Sequence, residues 1–270
     1  MATNILELRR YSAAAASRAL IDDVTIAVPA DIAAAAAALA RAAESFGLRI
    51  MVWHDLSTLA PMVDAAGDAL DAGAFGWAAA DLAPWRCRER LLRSPLLRAC
   101  RAESEPFWAT REGIRTRWPN RVIDQIARDD HAADDGPAQA IVVPVHLPFG
   151  QVGAALLVGV DGSETDLSAA FARVIAALAP AIERFVRGYV MVSRDERYLP
   201  DDCLLTAREI ECLNWIAHGK TDFEIGIILG CSHAGVRYHV TRACTKLGAV
   251  NRAQSVFRAA QLGLLGTPHS

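Results

Sequence analysis

The sequence has no long hydrophobic run. Its longest apolar-looking stretch, Ile32–Leu39, is mostly alanine and is closed by Arg41 and Glu44, whereas a helix that crosses a bilayer needs about 20 apolar residues. The N-terminal stretch Met1–Arg10 carries charged side chains with no apolar segment or small-residue cleavage site after it. We therefore expect a protein with no membrane helix and no secretion signal, located in the cytoplasm.

Cysteine is present, but never in a metal-binding pattern. The six cysteines are scattered, with no C-x-x-C pair and no histidine at zinc-ligand spacing. Disulfide frameworks belong to short secreted chains with weak cores, whereas this chain has 270 residues, of which 53% are hydrophobic. We therefore expect reduced thiols, no metal and no cofactor.

Motifs for catalysis and nucleotide binding are also missing. There is no G-x-G-x-x-G, no Walker loop and no ligand spacing among the histidines. The segment Gly230–Gly235 is only superficially similar to a nucleophile elbow, because its second glycine comes one residue late and it lies between predicted helices. His54 and Asp55, at the end of a predicted strand, lack further partners for acid-base chemistry. We predict that the chain is not an enzyme and has no catalytic residue.

Charge is distributed unevenly along the chain. The formal net charge is -3, yet the segment 203–270 carries +3 and the chain before it carries -6 by the same count of charged side chains. A modestly basic tail on an acidic body favours a polyanionic partner for the tail.

The chain up to Arg187 alternates helical and strand-like patterns. We predict strands at Leu48–Trp53, Ala74–Ala78, Ala138–His146 and Val152–Val160, the last two joined at Pro148–Gly150. We predict helices at Ala30–Ser45, Pro84–Glu103, Gly113–Arg128 and from Ser168 to about Arg187. This order indicates an α+β domain in which helices flank an antiparallel sheet.

A domain boundary follows the last of these helices. The segment 188–202 loses apolar periodicity and contains Ser193–Arg197, which is polar throughout, and then Leu199–Asp202. We predict an N-terminal domain at 1–187, a linker at 188–202 and an all-α domain at 203–270.

Capping signals delimit three short helices after the linker. Thr206–Glu209 and Thr221–Glu224 each have the S/T-x-x-E pattern of a capping box. Gly219 and Gly230 are placed to end the first two helices, and Ser232 is placed to cap the third.

The third helix has one apolar face and one polar face. Val236, Val240, Ala243 and Leu247 recur at helical spacing, and Ala234, Tyr238, Thr241, Arg242 and Thr245 lie on the opposite face. Two short helices joined by about three residues, with a basic face on the second, predict a helix-turn-helix that reads the major groove of double-stranded DNA. We expect DNA contacts from Ser232, His233, Arg237, Tyr238, Thr241, Arg242 and Lys246.

Within this set, Arg237 is the candidate for base contact and Arg242 for the DNA backbone. The alternative is that Arg237, Arg242 and Lys246 form an ordinary solvated face. A fourth helix opens at Asn251, and its apolar residues pack either on the other helices or on a second copy of the chain: Val256, Phe257, Ala260 and Leu264. We favour dimerisation.

These motifs resemble the LuxR-type helix-turn-helix of bacterial transcription regulators. The similar segments are Leu205–Leu213, Trp215–Thr221, Glu224–Leu229, Val236–His239 and Lys246–Arg252. The resemblance implies that the third helix reads the groove and that residues in the 250s form a dimer seam on a two-fold-related operator. One departure is Gly235, which stands where the family usually has threonine.

The first domain resembles the autoinducer-binding domain of quorum-sensing LuxR-type regulators, an α-β-α sandwich that encloses an acyl-homoserine lactone. The similar segments are Ser94–Arg98, Pro106–Trp108 and Ile141–His146. Alignment on Pro95 puts Ser94 at the family's ligand-binding aspartate, Asp81 at its tryptophan and Trp85 at a tyrosine. Alignment on Pro144 puts Ala140 at its strand glycine.

These departures change the chemistry that the resemblance implies. A neutral serine loses a charge-assisted bond to the ligand amide, and Asp81 would repel a lactone carbonyl. We therefore expect a small apolar or amphipathic ligand other than an ordinary acyl-homoserine lactone. The pocket candidates are Trp77, Asp81, Trp85, Ser94, Phe107 and Trp108.

Three hypotheses remain open for the first domain. Its aromatic residues line a ligand pocket, or they are core residues of a ligand-independent regulator in which the domain is a dimer or partner interface. A metabolite-processing enzyme fused to a DNA-binding head is the alternative from another class. The leading hypothesis is a homodimeric, ligand-sensing transcription regulator.

Overall fold

The computed structural model describes residues 16–110, 112–129, 139–160, 167–193 and 204–266. These residues belong to two compact units, which we call the N-terminal unit, ending at Ser193, and the C-terminal unit, beginning at Leu204. No helix among the described residues is both long and apolar enough to cross a membrane.

A five-stranded antiparallel sheet forms the centre of the N-terminal unit. Its strands are β1 (Leu48–Trp53), β2 (Phe107–Thr110), β3 (Gly113–Arg115), β4 (Gln139–His146) and β5 (Val152–Gly159), in the order β1-β5-β4-β2-β3. A hairpin joins β4 and β5 through a 3-10 turn at Pro148–Gly150, as the sequence predicts.

Helices cover both faces of this sheet, which confirms the predicted sandwich. The helices are α1 (16–23), α2 (Ile32–Glu44), α3 (Ala79–Arg86), α4 (Arg88–Arg93), α5 (Pro95–Ala99), α6 (Arg121–Asp129) and α7 (Leu167–Ser193). On one face α2 and α7 pack together, and Phe171 of α7 contacts Trp108 of β2, with ring centroids 4.7 Å apart. On the other face Trp85 of α3 contacts Trp53 of β1 at 5.6 Å.

Successive side chains along each strand point to opposite faces of the sheet, so both faces carry buried apolar residues that pack against helices. Ile50, Leu157 and Ile141 are directly opposite one another on β1, β5 and β4, and all three are buried. They lie on the same side as Trp108 and therefore face α2 and α7. The residues between them, such as Leu156 and Val142, face the shorter helices.

The predicted strand Ala74–Ala78 is wrong. This segment is irregular and Gly76 in it has φ 64°, a conformation that interrupts a strand. Its link to the sheet is made by a side chain, because Nε1 of Trp77 donates to the carbonyl oxygen of Ile50.

The predicted helix Pro84–Glu103 is in fact three short helices, α3 to α5. One break is at Ser94 (φ -55°, ψ 122°), because a residue that precedes proline is driven out of the helical region. A second break is at Cys87, which is also extended.

The predicted helix Gly113–Arg128 is also wrong in its first half. Gly113 has φ 133° and begins β3, which pairs with the unpredicted strand β2. Only after Asn120 does a helix begin, where Oδ1 of Asn120 accepts from the backbone N–H of Val122. Such a cap sets the start of α6.

Helix α7 is longer than the sequence predicts. It continues beyond Arg187 to Ser193, into the segment predicted as linker. The reason is that Tyr189 and Val190 are buried and extend the apolar face of Phe185 and Val186 by one turn.

The described part of the C-terminal unit contains four helices, as predicted: α8 (Ala207–Ala217), α9 (Asp222–Leu229), α10 (His233–Lys246) and α11 (Arg252–Gln261). Two small clusters hold them together. One contains Leu213, Ala243, Leu247 and Ala259, and the other contains Cys212, Ile225 and Val236. Burial raises the pKa of the Cys212 thiol to about 11.

Candidate nucleic-acid interface and ligand cavity

The first three helices of the C-terminal unit begin at the predicted caps. Oγ1 of Thr206 accepts from the N–H of Glu209, and the Glu209 carboxylate accepts from the N–H of Thr206 at 2.7 Å. Thr221 and Glu224 repeat this capping box at the start of α9. Oγ of Ser232 caps α10 by accepting from a backbone N–H at 3.1 Å. These caps fix where each helix starts.

The turn between α9 and α10 is tight. Gly230 ends α9 in the left-handed conformation (φ 63°, ψ 38°). A Cβ built on Gly226 would lie 2.8 Å from the carbonyl oxygen of Cys231. The absence of a side chain at this position therefore lets the chain turn closely enough to place α10 across α9.

Helix α10 presents its polar face to solvent. Val236, Ala243 and Leu247, which form its apolar face, are buried. The opposite face is exposed and consists of Ala234, Arg237, Tyr238, Thr241, Arg242 and Thr245. The face is wide enough to present guanidinium, phenol and hydroxyl groups together, the chemistry that contacts base edges and phosphates.

The predicted DNA-binding residues differ in the contacts that their side chains make within the protein. Ser232 is exposed, but its Oγ is used by the cap. Nε2 of His233 lies 3.9 Å from Oδ2 of Asp222. Within the described part of the chain, no carboxylate lies within ion-pair distance of Arg237, and its guanidinium is exposed.

Lys246 is the candidate whose surroundings differ most from the sequence-based expectation. Its Nζ lies 2.8 Å from Oε2 of Glu209, and Nε of Arg242 lies 4.0 Å from the other oxygen. The Glu209 side chain is only 4% exposed. Burial would raise the pKa of this carboxyl, but hydrogen bonds from Lys246 and Thr206 outweigh burial and hold the pKa below its usual value.

Helix α11 has an exposed apolar face. Asn251 caps it through Oδ1, and Ala259 on its inner side is buried. Ala253, Phe257 and Ala260, spaced by four and three residues, are exposed, and Phe257 is 61% exposed. Val256 and Leu264 pack inward instead, so only part of the predicted apolar set faces outward.

The N-terminal unit contains a cavity of about 420 Å³ between β1, α3 and the segment that joins them. Its apolar lining includes Met51, Trp53, Leu59, Met62, Phe75, Leu82 and Trp85. Two charged residues also line it, Asp71 and Arg86, which form an ion pair at 3.4 Å. The cavity is thus mainly apolar with one donor and one acceptor group.

Of the six predicted pocket residues, Trp85 lines this cavity and the other five do not. Phe107 is fully buried in the sheet, and Trp108 lies on the opposite face against Phe171. Trp77 is buried at the edge of β1, and Asp81 pairs with Arg49 at 3.1 Å. Ser94 marks the break between α4 and α5.

Sequence reasoning missed most of the residues that line the cavity. Met51 and Trp53 could have been found, because they share one face of a strand that was correctly predicted. No sequence pattern indicated Asp71 and Arg86. Their ion pair forms only because the irregular segment between β1 and α3 folds back onto α3.

Comparison with known proteins agrees with the geometry of the C-terminal unit. Residues 204–259 match the family described as "Bacterial regulatory proteins, luxR family". The chain is 29% identical over 130 residues to the transcriptional activator protein VanR of Vibrio anguillarum, covering 48% of this chain and 53% of VanR. It is 43% identical over 68 residues to the transcriptional activator protein LuxR of Aliivibrio fischeri, covering 25% and 27%.

A solved structure of Escherichia coli SdiA is 22% identical, with a TM-score of 0.38, covering 71% of this chain and 76% of SdiA. The chain spans about half the length of VanR and about a quarter of LuxR. The family match covers α8, α9, α10 and most of α11. Residues 204–259 of this chain are therefore a LuxR-family helix-turn-helix domain.

Proposed function

We propose that the chain is a homodimeric, DNA-binding transcription regulator of LuxR type, and that α10 is its recognition helix. The observation that carries this proposal is the exposed face of α10, which contains Arg237, Tyr238 and Thr241. The opposite face of the helix is apolar and buried. The match of residues 204–259 to the luxR family supports it.

Each side chain on this face has a role that its chemistry suits. Arg237 pairs bidentately with guanine, and Thr241 contacts a base edge or a thymine methyl group. Tyr238 and Arg242, four residues apart on one side of α10, reach phosphates and fix the register of the helix in the groove. Ser232 and His233 lie at the first turn of α10, the end that enters the groove in helix-turn-helix proteins.

The dimer seam in this proposal is the exposed face of α11. Phe257 supplies an apolar anchor, and Ala253 and Ala260 are small enough to let a second helix approach closely. A two-fold seam predicts an operator with two related half-sites about one helical turn apart.

We propose further that the N-terminal unit is the sensor, with the cavity beside β1 as its ligand site. A volume of about 420 Å³ lined by aromatic side chains and two methionines suits a small, mainly apolar molecule. The Asp71–Arg86 pair offers one acceptor and several donors, so an amphipathic ligand fits better than a pure hydrocarbon.

A duplex selection tests the output function. Protein made in a host without acyl-homoserine lactones is offered a random-sequence duplex library, with and without added lactones or extract of the source cells. Enrichment of a two-fold-related site supports the proposal, and failure to enrich any sequence under all conditions overturns it. Equal enrichment without any addition would favour the ligand-independent alternative.

A matched ligand series tests the sensor function. Decanamide, decanoic acid and methyl decanoate share a tail and differ in the polar head, so each is added to the full chain and the melting temperature is followed. A ligand that binds only the native state raises this temperature. We expect a rise that is lost in Trp85→Ala, whose side chain lines the cavity, and kept in Trp118→Ala, which is exposed elsewhere. No rise with any compound would contradict this assignment.

A further inference from the structure

The cations of α10 are not equivalent, because they lie on different flanks of its exposed face. Arg237 and Lys246 are nine residues apart, which at about 100° per residue places them roughly 180° apart around the helix. Tyr238 and Thr241 lie between them and are exposed. The flank that carries Lys246 faces α8, where Glu209 is buried.

Glu209 holds that flank by two kinds of contact. One carboxylate oxygen accepts from the backbone N–H of Thr206 at 2.7 Å and from Nζ of Lys246 at 2.8 Å. A carboxylate that is 4% exposed has lost most of its water and needs a compensating positive charge. Lys246 supplies that charge and is itself only 22% exposed. Its ammonium group is therefore already paired within the C-terminal unit.

We propose that Glu209 is a positioning residue for DNA binding, which holds Lys246 on the α8 side of α10 and keeps this cation from the DNA phosphates. The inference rests on the proposed function, because it concerns the same recognition helix. Arg242, whose Nε lies 4.0 Å from the second carboxylate oxygen, is held more loosely and stays half-exposed. Lys246 is thereby excluded from the DNA face of α10, whereas Arg237, Tyr238 and Thr241 remain on it.

This arrangement has a measurable consequence in the salt dependence of binding. Each phosphate that a protein cation neutralises adds about 0.9 to the slope of log K against log salt concentration. With the wild-type chain, Lys246 contributes nothing to that slope. Once the Glu209 charge is removed, Lys246 becomes available to a phosphate and the slope steepens.

The experiment compares three full-length chains on one mixed-sequence duplex of about three helical turns, using fluorescence anisotropy at several sodium chloride concentrations. Glu209→Gln keeps an oxygen that can accept from Thr206, and we expect its slope to steepen by about 0.9 for each bound protomer, roughly 1.8 for a dimer, relative to wild type. The double variant Glu209→Gln/Lys246→Met removes both charges together and leaves no unpaired buried ion. We expect its slope to equal that of wild type.

The double variant is decisive even if Glu209→Gln folds poorly. A slope shallower than wild type by about 0.9 for each bound protomer in the double variant would show that Lys246 already contacts a phosphate, which overturns the inference. Equal slopes in all three chains, with only the melting temperature lowered, would overturn it as well. Absence of duplex binding by the wild-type chain would overturn the proposed function together with the inference.

Discussion

The indole Nε1 of Trp77 lies 2.6 Å from the carbonyl oxygen of Ile50 and donates a hydrogen bond to it. A side chain thus pairs with an outward-facing carbonyl of the edge strand β1. An open edge invites pairing with another chain, and covering it is one way in which proteins avoid that. The irregular segment before α3 thus has a structural role although it is not a strand.

Replacing Trp77 with phenylalanine keeps a buried ring but removes this donor. We expect a loss of about 1–3 kcal/mol in the free energy of unfolding, because a buried carbonyl is left without its partner. Urea denaturation followed by circular dichroism measures it. The control is Trp118→Phe, since Trp118 is 64% exposed, and substitutions at such surface positions usually cost at most about 0.5 kcal/mol. Similar losses in the two variants would show that the Trp77 bond does not matter.

Two glycines of the C-terminal unit are expected to respond oppositely to alanine. Gly226→Ala puts a Cβ 2.8 Å from the Cys231 carbonyl oxygen, and relieving such a clash costs about 1–3 kcal/mol. At Gly235 the nearest atom to the new Cβ is Oγ of Ser232 at 3.4 Å, so alanine fits and gains up to about 1 kcal/mol of helix propensity. Thermal unfolding of both variants tests this, and a stable Gly226→Ala chain would contradict it.

The pKa of Glu209 predicts an acid-sensitive C-terminal unit. Because its folded pKa lies below the usual value of 4.5, its stabilising contribution is present above that pH and is lost as the pH falls through the folded value. We expect Glu209→Gln to be about 1–3 kcal/mol less stable than wild type at pH 7, and the difference to shrink below pH 4.5. A difference that stays constant from pH 7 to pH 3 would show that the carboxylate charge is not its source.

Arg237 is expected to determine sequence preference. Arg237→Ala should weaken binding to the selected duplex by about 1–3 kcal/mol and relax the preference at one base pair of each half-site. Arg208→Ala is the matched control, because Arg208 is half-exposed on α8 and pairs with Glu211. Gel-shift titration measures both, and an unchanged affinity and preference in Arg237→Ala would refute the base-contact role.

Phe257 is expected to hold the dimer. Phe257→Asp should shift the chain from dimer to monomer in sedimentation velocity, because a carboxylate at an apolar seam must be desolvated without a partner. Phe223→Asp is a close control, since Phe223 has a similar exposure of 67% but lies on α9. Equal dissociation by both variants, or by neither, would contradict the assignment of α11 as the seam.

The sequence predicts the C-terminal helices closely because their boundary signals are local. Thr206 and Thr221 each lie three residues from the glutamate that completes the capping box, and Gly230 adopts the left-handed conformation that its position suggests. No long-range contact is needed to choose these ends, so a short window of sequence contains the information.

The N-terminal unit is harder to predict because its segments are decided by distant partners. The short strand β2 is stabilised by pairing with β4, which follows it in the chain only after β3 and α6. The pocket candidates are dispersed for the same reason: Phe107 and Trp108 are neighbours in sequence but point to opposite faces of the sheet. Only the assembled sheet shows which face adjoins a cavity.

Every described helix of the C-terminal unit starts at a side-chain cap supplied by its own sequence: Thr206, Thr221, Ser232 and Asn251. A helix whose own sequence contains its cap can be exchanged without changing where the neighbouring helices begin. Replacing residues 232–247 with the matching segment of a relative should therefore transfer the operator preference of that relative. The replacement must keep a lysine at 246 so that the ion pair with Glu209 is retained. The exposed side chains of α10 can therefore be changed while the cap that fixes where the helix begins is kept.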